Sequence, residues 1–115
     1  PVLFPVILAV AGKVAATGTY VSRAFDMGTA IDLIAWLKTY IPTGASITLE
    51  ADNGAGVWSA VAQTAQSPLQ DPGWIERRYA KTGHNANPVG RLRLTLAGTP
   101  AARPMGYDFR AISAP

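Results

Sequence analysis

The chain contains no cysteine and a single histidine, His84, and these absences exclude several classes of function. Without cysteine there is no disulfide framework and no thiolate metal site. One histidine leaves most zinc sites and nucleophile triads incomplete. Because His84 lies in the polar stretch KTGHNANP, away from Cys, Asp and Glu, we predict an exposed loop histidine rather than a metal ligand. No nucleophile motif or paired-carboxylate context is visible either, so we predict no enzyme activity, no metal and no cofactor.

Charge is also scarce, since 15% of residues are charged and 49% are hydrophobic. This balance is too apolar for disorder and indicates that part of the surface meets other protein. A net charge of +3, with arginines spread along the chain, is well short of a nucleic-acid-binding footprint. The apolar stretch at residues 2–11 is broken by Pro5, is too short to span a bilayer and has no basic flank typical of a secretory signal. We therefore predict no nucleic-acid partner and no membrane insertion.

Two segments alternate apolar and polar residues with the period of a half-buried β-strand. Residues 91–96 alternate arginine or threonine with leucine, and residues 47–50 alternate isoleucine or leucine with threonine or glutamate. The second run ends at Asp52-Asn53-Gly54, residue types that tolerate the left-handed backbone of a hairpin corner. The oxygens of this turn could instead hold calcium, but the acidic spacing of a calcium loop is missing. We predict a plain hairpin in an antiparallel β domain.

Further strands are predicted along the chain, separated by loops rich in glycine and proline. The segment TAIDLIAWLKTYIP is ambiguous, because its apolar residues fit period two and also fit a helix capped by Thr29. Short length, β-rich neighbours and the Pro42-Thr43-Gly44 break favour a strand. The other predicted strands are GTYVSRAFDMG, VWSAVA, GWIERRYAKTG and MGYDFRAI. Seven or eight strands in one domain, residues 1–115, predict an all-β, antiparallel, jelly-roll-like β-sandwich.

The N-terminal residues 1–12 form an almost continuous apolar run. Such a run fits either a strand buried on both faces or an arm lying against a neighbouring subunit. Burial against a second subunit would remove apolar surface from water, worth about 25 cal/mol per Å². We predict a homo-oligomer and expect the sequence, which starts at Pro1, to be the ordered part of a longer polypeptide. The candidate subunit-contact residues are Val2, Leu3, Phe4, Val6 and Leu8.

Two groups of side chains are candidates for a partner- or glycan-binding surface. Aromatic faces can stack on sugar rings, although aromatic side chains of β-sandwiches more often pack in the core. Arginines on neighbouring strands could bind an anionic polymer or an acidic neighbour in an assembly, or could form a solvated face that blunts edge pairing. The aromatic candidates are Trp36, Tyr40, Trp58, Trp74 and Tyr79, and the arginines are Arg77, Arg78, Arg91 and Arg93. The predicted surface comprises Trp36, Tyr40, Arg77, Arg91 and Arg93.

The segments SITLEADNGAGVWSAV, GWIERRY and GRLRLTLAGTPAARPMGYDFRAI resemble β-sandwich modules in virion proteins of tailed bacteriophages. The resemblance spans residues 20–112 and consists of a strand ending in D-x-G, a following Trp, an R-L-R-L strand and an A-R-P turn. It implies a jelly-roll-like fold and a place on tail fibres, baseplates or other tail-associated proteins. It carries no catalytic residue over to this chain.

The resemblance implies a structural protein of a bacteriophage particle, tail-associated and assembled in the host bacterial cytoplasm, whose reducing conditions suit a cysteine-free chain. Its partners would be copies of itself, other virion proteins and a host cell-surface glycan. Two other functions stay open at this point. One is a capsid decoration protein, which would need a flat capsid-facing surface, and the other is the carbohydrate-binding module of an enzyme, which would need an exposed aromatic platform or a calcium site.

Overall fold

The computed structural model describes residues 2–9, 17–27, 31–84 and 89–114, and this part of the chain is built of antiparallel strands without a helix. The prediction of an all-β antiparallel fold is confirmed. The strands are β1 (Val2–Ala9), β2 (Thr17–Val21), β3 (Phe25–Asp26), β4 (Ile31–Tyr40), β5 (Ser46–Asp52), β6 (Trp58–Pro68), β7 (Trp74–His84), β8 (Val89–Gly90), β9 (Leu92–Ala97) and β10 (Met105–Ala114).

Eight of these strands form one curled sheet in the order β1-β10-β4-β7-β6-β5-β9-β2, and β3 pairs separately with β8. The sheet curls at β6, which contributes to both halves. Residues 58–61 of β6 pair with β5, whereas residues 62–68 pair with β7. Past Val61, β6 therefore diverges from β5, and the two halves of the sheet turn their inner faces toward each other as a half-barrel.

The core lies between these inner faces and follows directly from period-two alternation. Within β9, the residues at 92, 94 and 96 are buried and their neighbours are partly exposed. The fully buried Phe109 of β10 meets the ring of Tyr20 edge-on, with 6.4 Å between the ring centroids. Other buried core residues are Met27, Leu33, Ala35, Leu37, Ile47, Leu49, Ala51, Val61, Tyr79 and Ala111.

The ambiguous segment is a strand, as predicted. Within β4, Leu33, Ala35 and Leu37 are buried while the residues between them are partly exposed, so the apolar side chains that also fit a helix belong to two opposite faces. The predicted strand GTYVSRAFDMG, by contrast, is interrupted at residues 22–24. There the hydroxyl of Ser22 accepts a hydrogen bond from the Leu92 amide, at 2.9 Å, and side-chain bonding replaces part of the ladder.

The hairpin predicted at Asp52-Asn53-Gly54 connects β5 to β6. The carboxylate oxygen Oδ1 of Asp52 accepts hydrogen bonds from the amides of Gly54 and Gly56, both at 3.0 Å. Gly54 has a φ of 88°, which only glycine adopts without strain. Backbone amides of the turn are thus hydrogen-bonded by a side-chain oxygen of the turn itself, as expected of an Asx turn.

A second glycine marks a close approach of two backbones. Gly90 of β8 lies against the end of β5, where a Cβ atom added to it would be 2.4 Å from the carbonyl oxygen of Asp52 and 2.8 Å from the Sδ of Met27. Neither distance is compatible with a side chain, so this packing requires glycine.

Residues 2–9 of the apolar N-terminal run form a strand of the molecule's own sheet, and the rest of the run lies outside the described residues. The backbone of β1 pairs antiparallel with β10, and β1 stands at one edge of the eight-stranded order. The predicted subunit contact through Val2, Leu3, Phe4, Val6 and Leu8 stays a prediction. Within the described ranges, no helix has the length and hydropathy needed to cross a membrane.

Candidate functional site

Four aromatic side chains gather on the outer face of β10, β4 and β7. The register places Tyr40 opposite Trp74, and Tyr107 opposite Lys38. The ring centroids of Tyr40 and Trp74 are 5.7 Å apart, and those of Trp74 and Tyr107 are 5.3 Å apart. Trp36, four residues before Tyr40, lies on the same face of β4. These four residues, all partly exposed, are called the aromatic face: Trp36, Tyr40, Trp74 and Tyr107.

A β-bulge places Tyr107 in this group. Asp108 has a φ of 54°, and the pairing with β4 shifts between Tyr107 and Arg110. The extra residue lets Tyr107 and Arg110 both reach the outer face while Phe109, between them, fills the core. Without the bulge, strict alternation would put Tyr107 and Phe109 on one side.

Charged side chains are interleaved with the rings. The Lys38 Nζ lies 3.0 Å from a carboxylate oxygen of Asp108 and 5.5 Å from the Tyr107 ring centroid. The hydrogen bond and charge of Asp108 raise the pKa of Lys38 above its ordinary value. Arg110 pairs with Glu76 and lies 5.6 Å from the ring centroid of Trp36. Flat apolar rings and hydrogen-bonding charged groups thus alternate across three strands.

The orientation of Tyr40 is fixed by the turn between β6 and β7. A Cβ added to Gly73, whose φ is +82°, would lie 2.9 Å from the Cε2 of Tyr40. The ring therefore packs directly on the glycine backbone, next to Trp74. A ring held in this way loses little entropy when a ligand stacks on it.

The arginines predicted to share this surface lie elsewhere. Arg93, in β9, and Arg91, just before it, lie on the other half of the sheet, where the guanidinium carbons of Arg91 and Arg93 are 5.3 and 4.3 Å from the ring centroid of Trp58. Arg91 pairs with Asp52 at 3.0 Å, and Arg93 pairs with Glu50 at 2.8 Å. Their charges are matched by carboxylates and their guanidinium groups lie over the Trp58 ring, so this group stabilises the sheet.

Arg77 is separated from both groups. The prediction that it shares adjacent strands with Arg91 and Arg93 is wrong, because β6 and β5 lie between β7 and β9. Of the five aromatic candidates, Trp36, Tyr40 and Trp74 come together, whereas Trp58 is on the other half of the sheet and Tyr79 is buried at 2% exposure. Tyr107 was missed, since a bulge in its strand cannot be read from alternation.

Arg77 instead belongs to a polar group on the inner face of the sheet. Its Nε donates a hydrogen bond to the hydroxyl oxygen of Thr39 at 3.0 Å, and its Nη1 donates to the side-chain oxygens of Gln63 at 3.0 Å and Gln66 at 3.2 Å. Thr39 is fully buried and donates its own hydroxyl to the carbonyl of Ile75, at 2.7 Å. These residues are called the Arg77 cluster: Arg77, Thr39, Gln63 and Gln66.

The prediction that His84 is an exposed loop residue is wrong. His84 is the last residue of β7, is 2% exposed and lies with Nε2 3.1 Å from the carbonyl oxygen of Asp52. The strand runs farther than the polar sequence KTGHN indicates, since pairing with β4 places His84 opposite Ile31. Among the described residues, no group of three His, Cys, Asp or Glu side chains is arranged to hold a metal ion.

Asp52 is a buried carboxylate that depends on its partners. Burial disfavours its charged form, but hydrogen bonds from Arg91 and from the amides of Gly54 and Gly56 outweigh that effect, and the pKa of Asp52 lies below its ordinary value. A group whose pKa is lowered by folding stabilises the protein above its unfolded pKa, about 3.9, and loses that contribution as pH falls through the folded value.

Asp52→Asn is therefore expected to make the free energy of unfolding depend less on pH in the acidic range. The amide keeps an oxygen for Gly54 and Gly56 but loses the charge that pairs with Arg91, so the variant should be less stable at pH 7 by about 1–2 kcal/mol. Below about pH 4 the two curves should converge. Urea unfolding from pH 7 to pH 2 measures this, with Asp71→Asn, in an exposed loop, as the control. A constant difference between wild type and Asp52→Asn at all pH values would contradict the assignment.

One solved carbohydrate-binding module shares this fold. The structure of TmCBM61 in complex with β-1,4-galactotriose matches with a TM-score of 0.57 and 12% sequence identity, over 86% of this chain and 66% of that chain. The chain thus spans just under two thirds of the length of the TmCBM61 chain. At this identity the likeness concerns the fold. No protein-family model matches the sequence, and no curated protein matches it significantly.

Proposed function

We propose that the protein is a glycan-binding module that holds an oligosaccharide on its aromatic face. The observation that carries this proposal is the grouping of Trp36, Tyr40, Trp74 and Tyr107 beside paired charged side chains on one side of β10, β4 and β7. The fold shared with TmCBM61, whose structure contains a galactotriose, supports it. The proposal is one of binding, and it assigns no catalytic step.

The dimensions of the face suit a short oligosaccharide. Adjacent strands lie about 4.8 Å apart, and residues two positions apart along a strand are about 6.8 Å apart. Three strands by three rows, from Trp36 to Tyr40, therefore offer a surface of roughly 10 by 14 Å, enough for two or three sugar rings. Aromatic rings can cover the apolar sugar faces, and Lys38, Glu76 and Arg110 provide donors and acceptors for hydroxyl groups.

Trp74→Ala is expected to weaken oligosaccharide binding by about tenfold or more, equivalent to about 1.4 kcal/mol. Trp74 contacts both Tyr40 and Tyr107, so its removal opens the centre of the aromatic face. Isothermal titration with β-1,4-galactotriose and with other β-linked trisaccharides measures the effect.

Trp58→Ala is the matched control, because Trp58 is a partly exposed tryptophan on the other half of the sheet, covered by Arg91 and Arg93. This variant should bind as wild type does. Equal losses in the two variants, or wild-type protein that binds none of the trisaccharides, would show that the aromatic face is not a glycan site.

The role of a tail-associated bacteriophage protein stays a prediction that the sequence resemblance supports. The structural feature relevant to assembly is β1, whose backbone forms one edge of the eight-stranded order. Unpaired strand edges can accept a strand from another chain. A structural protein that also contacts a host-surface glycan would use the two features together, with β1 for assembly and the aromatic face for binding.

A further inference from the structure

The Arg77 cluster lies where the inner face of the half-barrel opens. β6 leaves β5 after residue 61, and from there it is paired on one side only, with β7. Gln63 pairs with the buried Tyr79 and Gln66 pairs with Arg77, so both glutamines share the inner face with core residues. Both are nevertheless exposed. The inner face is thus accessible at this end, and what it presents to solvent is polar.

Arg77 differs from Arg91, Arg93 and Arg110 in the partners of its guanidinium, and it shares with its neighbour Arg78, which binds the hydroxyl of Thr64, the lack of a carboxylate partner among the described residues. Arg91, Arg93 and Arg110 each pair with a carboxylate. Arg77 has no carboxylate within ion-pair distance among the described residues, and all its hydrogen-bond acceptors are neutral. Its Nη2 has no hydrogen-bond acceptor among the residues that the structure describes. The guanidinium is therefore held in position with its charge uncompensated.

The side chains beside the Arg77 guanidinium supply no negative charge to balance it. Thr39, which accepts the bond from the Arg77 Nε, is fully buried and has its own hydroxyl proton committed to the carbonyl of Ile75. The neighbouring Tyr79 has a buried hydroxyl without a hydrogen-bond partner among the described residues. Burial raises the pKa of Tyr79 and the positive charge of Arg77 opposes that rise, so this hydroxyl stays neutral and supplies no counter-charge.

We propose that the Arg77 cluster is a second ligand site, which binds the carboxylate group of an acidic sugar. The Nη2 group of Arg77 has donors to spare beside an uncompensated positive charge, and a carboxylate can accept a charge-assisted hydrogen bond from it. The exposed amide groups of Gln63 and Gln66 are hydrogen-bonded to each other at 3.1 Å, and their remaining donors and acceptors are available to the hydroxyls of the same sugar. The assignment of the carboxylate to a sugar rests on the proposed glycan-binding function, whereas the carboxylate site itself does not.

The site lies on the opposite side of the sheet from the aromatic face. Thr39 and Arg77 point inward, and their neighbours Lys38, Tyr40 and Glu76 point outward. The two sites can therefore be tested separately. A chain that bound a neutral segment on the aromatic face and a uronate residue in the opening would recognise a mixed, partly acidic polysaccharide.

The test compares trigalacturonate with its fully methyl-esterified form, in which each carboxylate is replaced by an uncharged methyl ester. Wild-type protein at low salt should bind the acid about tenfold tighter than the ester. Arg77→Gln should abolish this preference. Arg77→Lys, which keeps the charge but not the planar fork, should retain part of it. Arg23→Gln removes one charge from an exposed residue beside the start of β9 and should bind as wild type does.

A second measurement isolates the carboxylate site from glycan binding. Sodium acetate should shift the Nε–H resonance of Arg77 saturably in wild type and in Trp74→Ala, because the aromatic face does not take part. An acetate shift without preference for trigalacturonate would overturn the sugar assignment. No acetate shift, or equal losses in Arg77→Gln and Arg23→Gln, would overturn the site. If galactotriose binding fails while the acetate shift persists, the function proposed for the aromatic face fails and the carboxylate site stands.

Discussion

Leu94→Ala is expected to destabilise the protein by about 2–5 kcal/mol, one of the largest effects of any single truncation. Leu94 is fully buried in β9, opposite Leu49 of β5 and Tyr20 of β2. Strands on both sides hold its surroundings in place, so the cavity left by the missing atoms cannot collapse easily. Chemical unfolding followed by tryptophan fluorescence measures the loss.

Arg93→Ala, one residue away on the opposite face, provides the comparison. Arg93 pairs with Glu50 and lies over the ring of Trp58, but its side chain is 30% exposed. We expect its removal to cost about 1 kcal/mol or less. Equal losses of stability in the two variants would mean that β9 is turned the other way, with its arginines inside.

Gly90→Ala is expected to cost about 2–3 kcal/mol, although it adds a single methyl group. The new Cβ would overlap the carbonyl oxygen of Asp52, which is backbone, and the Sδ of Met27, which is buried. Relief of the clash would require β8 to move away from the end of β5. The midpoint of urea unfolding reports the change.

Gly83→Ala separates steric overlap from backbone strain. Gly83 has a φ of +64° but no heavy atom within 4 Å of an added Cβ, so this variant carries strain alone, of about 1 kcal/mol. If Gly90→Ala is no more destabilising than Gly83→Ala, the close approach between β8 and β5 is wrong.

The fold was predictable because burial in this protein follows alternation closely. The leucines of β9 and the apolar residues of β4 at 33, 35 and 37 are buried, as alternation predicts. The turn at Asn53-Gly54 is held by a local hydrogen bond from the Gly54 amide to the Asp52 carboxylate. Interruption of the second predicted strand was not predictable, because it depends on the Ser22 hydroxyl meeting Leu92, seventy residues away. Local patterns carry no information on such pairings.

The site was only half predictable for the same reason. Trp36 and Tyr40 share a face because they lie four positions apart, an even number, in one strand. Trp74 joins them through the register of β7, and Tyr107 through the bulge at Asp108. The surroundings of Arg77 depend on the position at which β6 stops pairing with β5 and pairs with β7 instead. Neither composition nor residue spacing predicts that position.

The order of the strands has a consequence for synthesis. β1 pairs with β10, and β2 pairs with β9, so the first two strands to leave the ribosome wait for the last two. Until then β1 is an apolar segment without its hydrogen-bonding neighbour, and the growing chain cannot complete either half of its sheet. Folding that depends on such distant pairings is slow and leaves nascent chains prone to association. Until β9 and β10 have been synthesised, the earlier strands are therefore open to association with other chains.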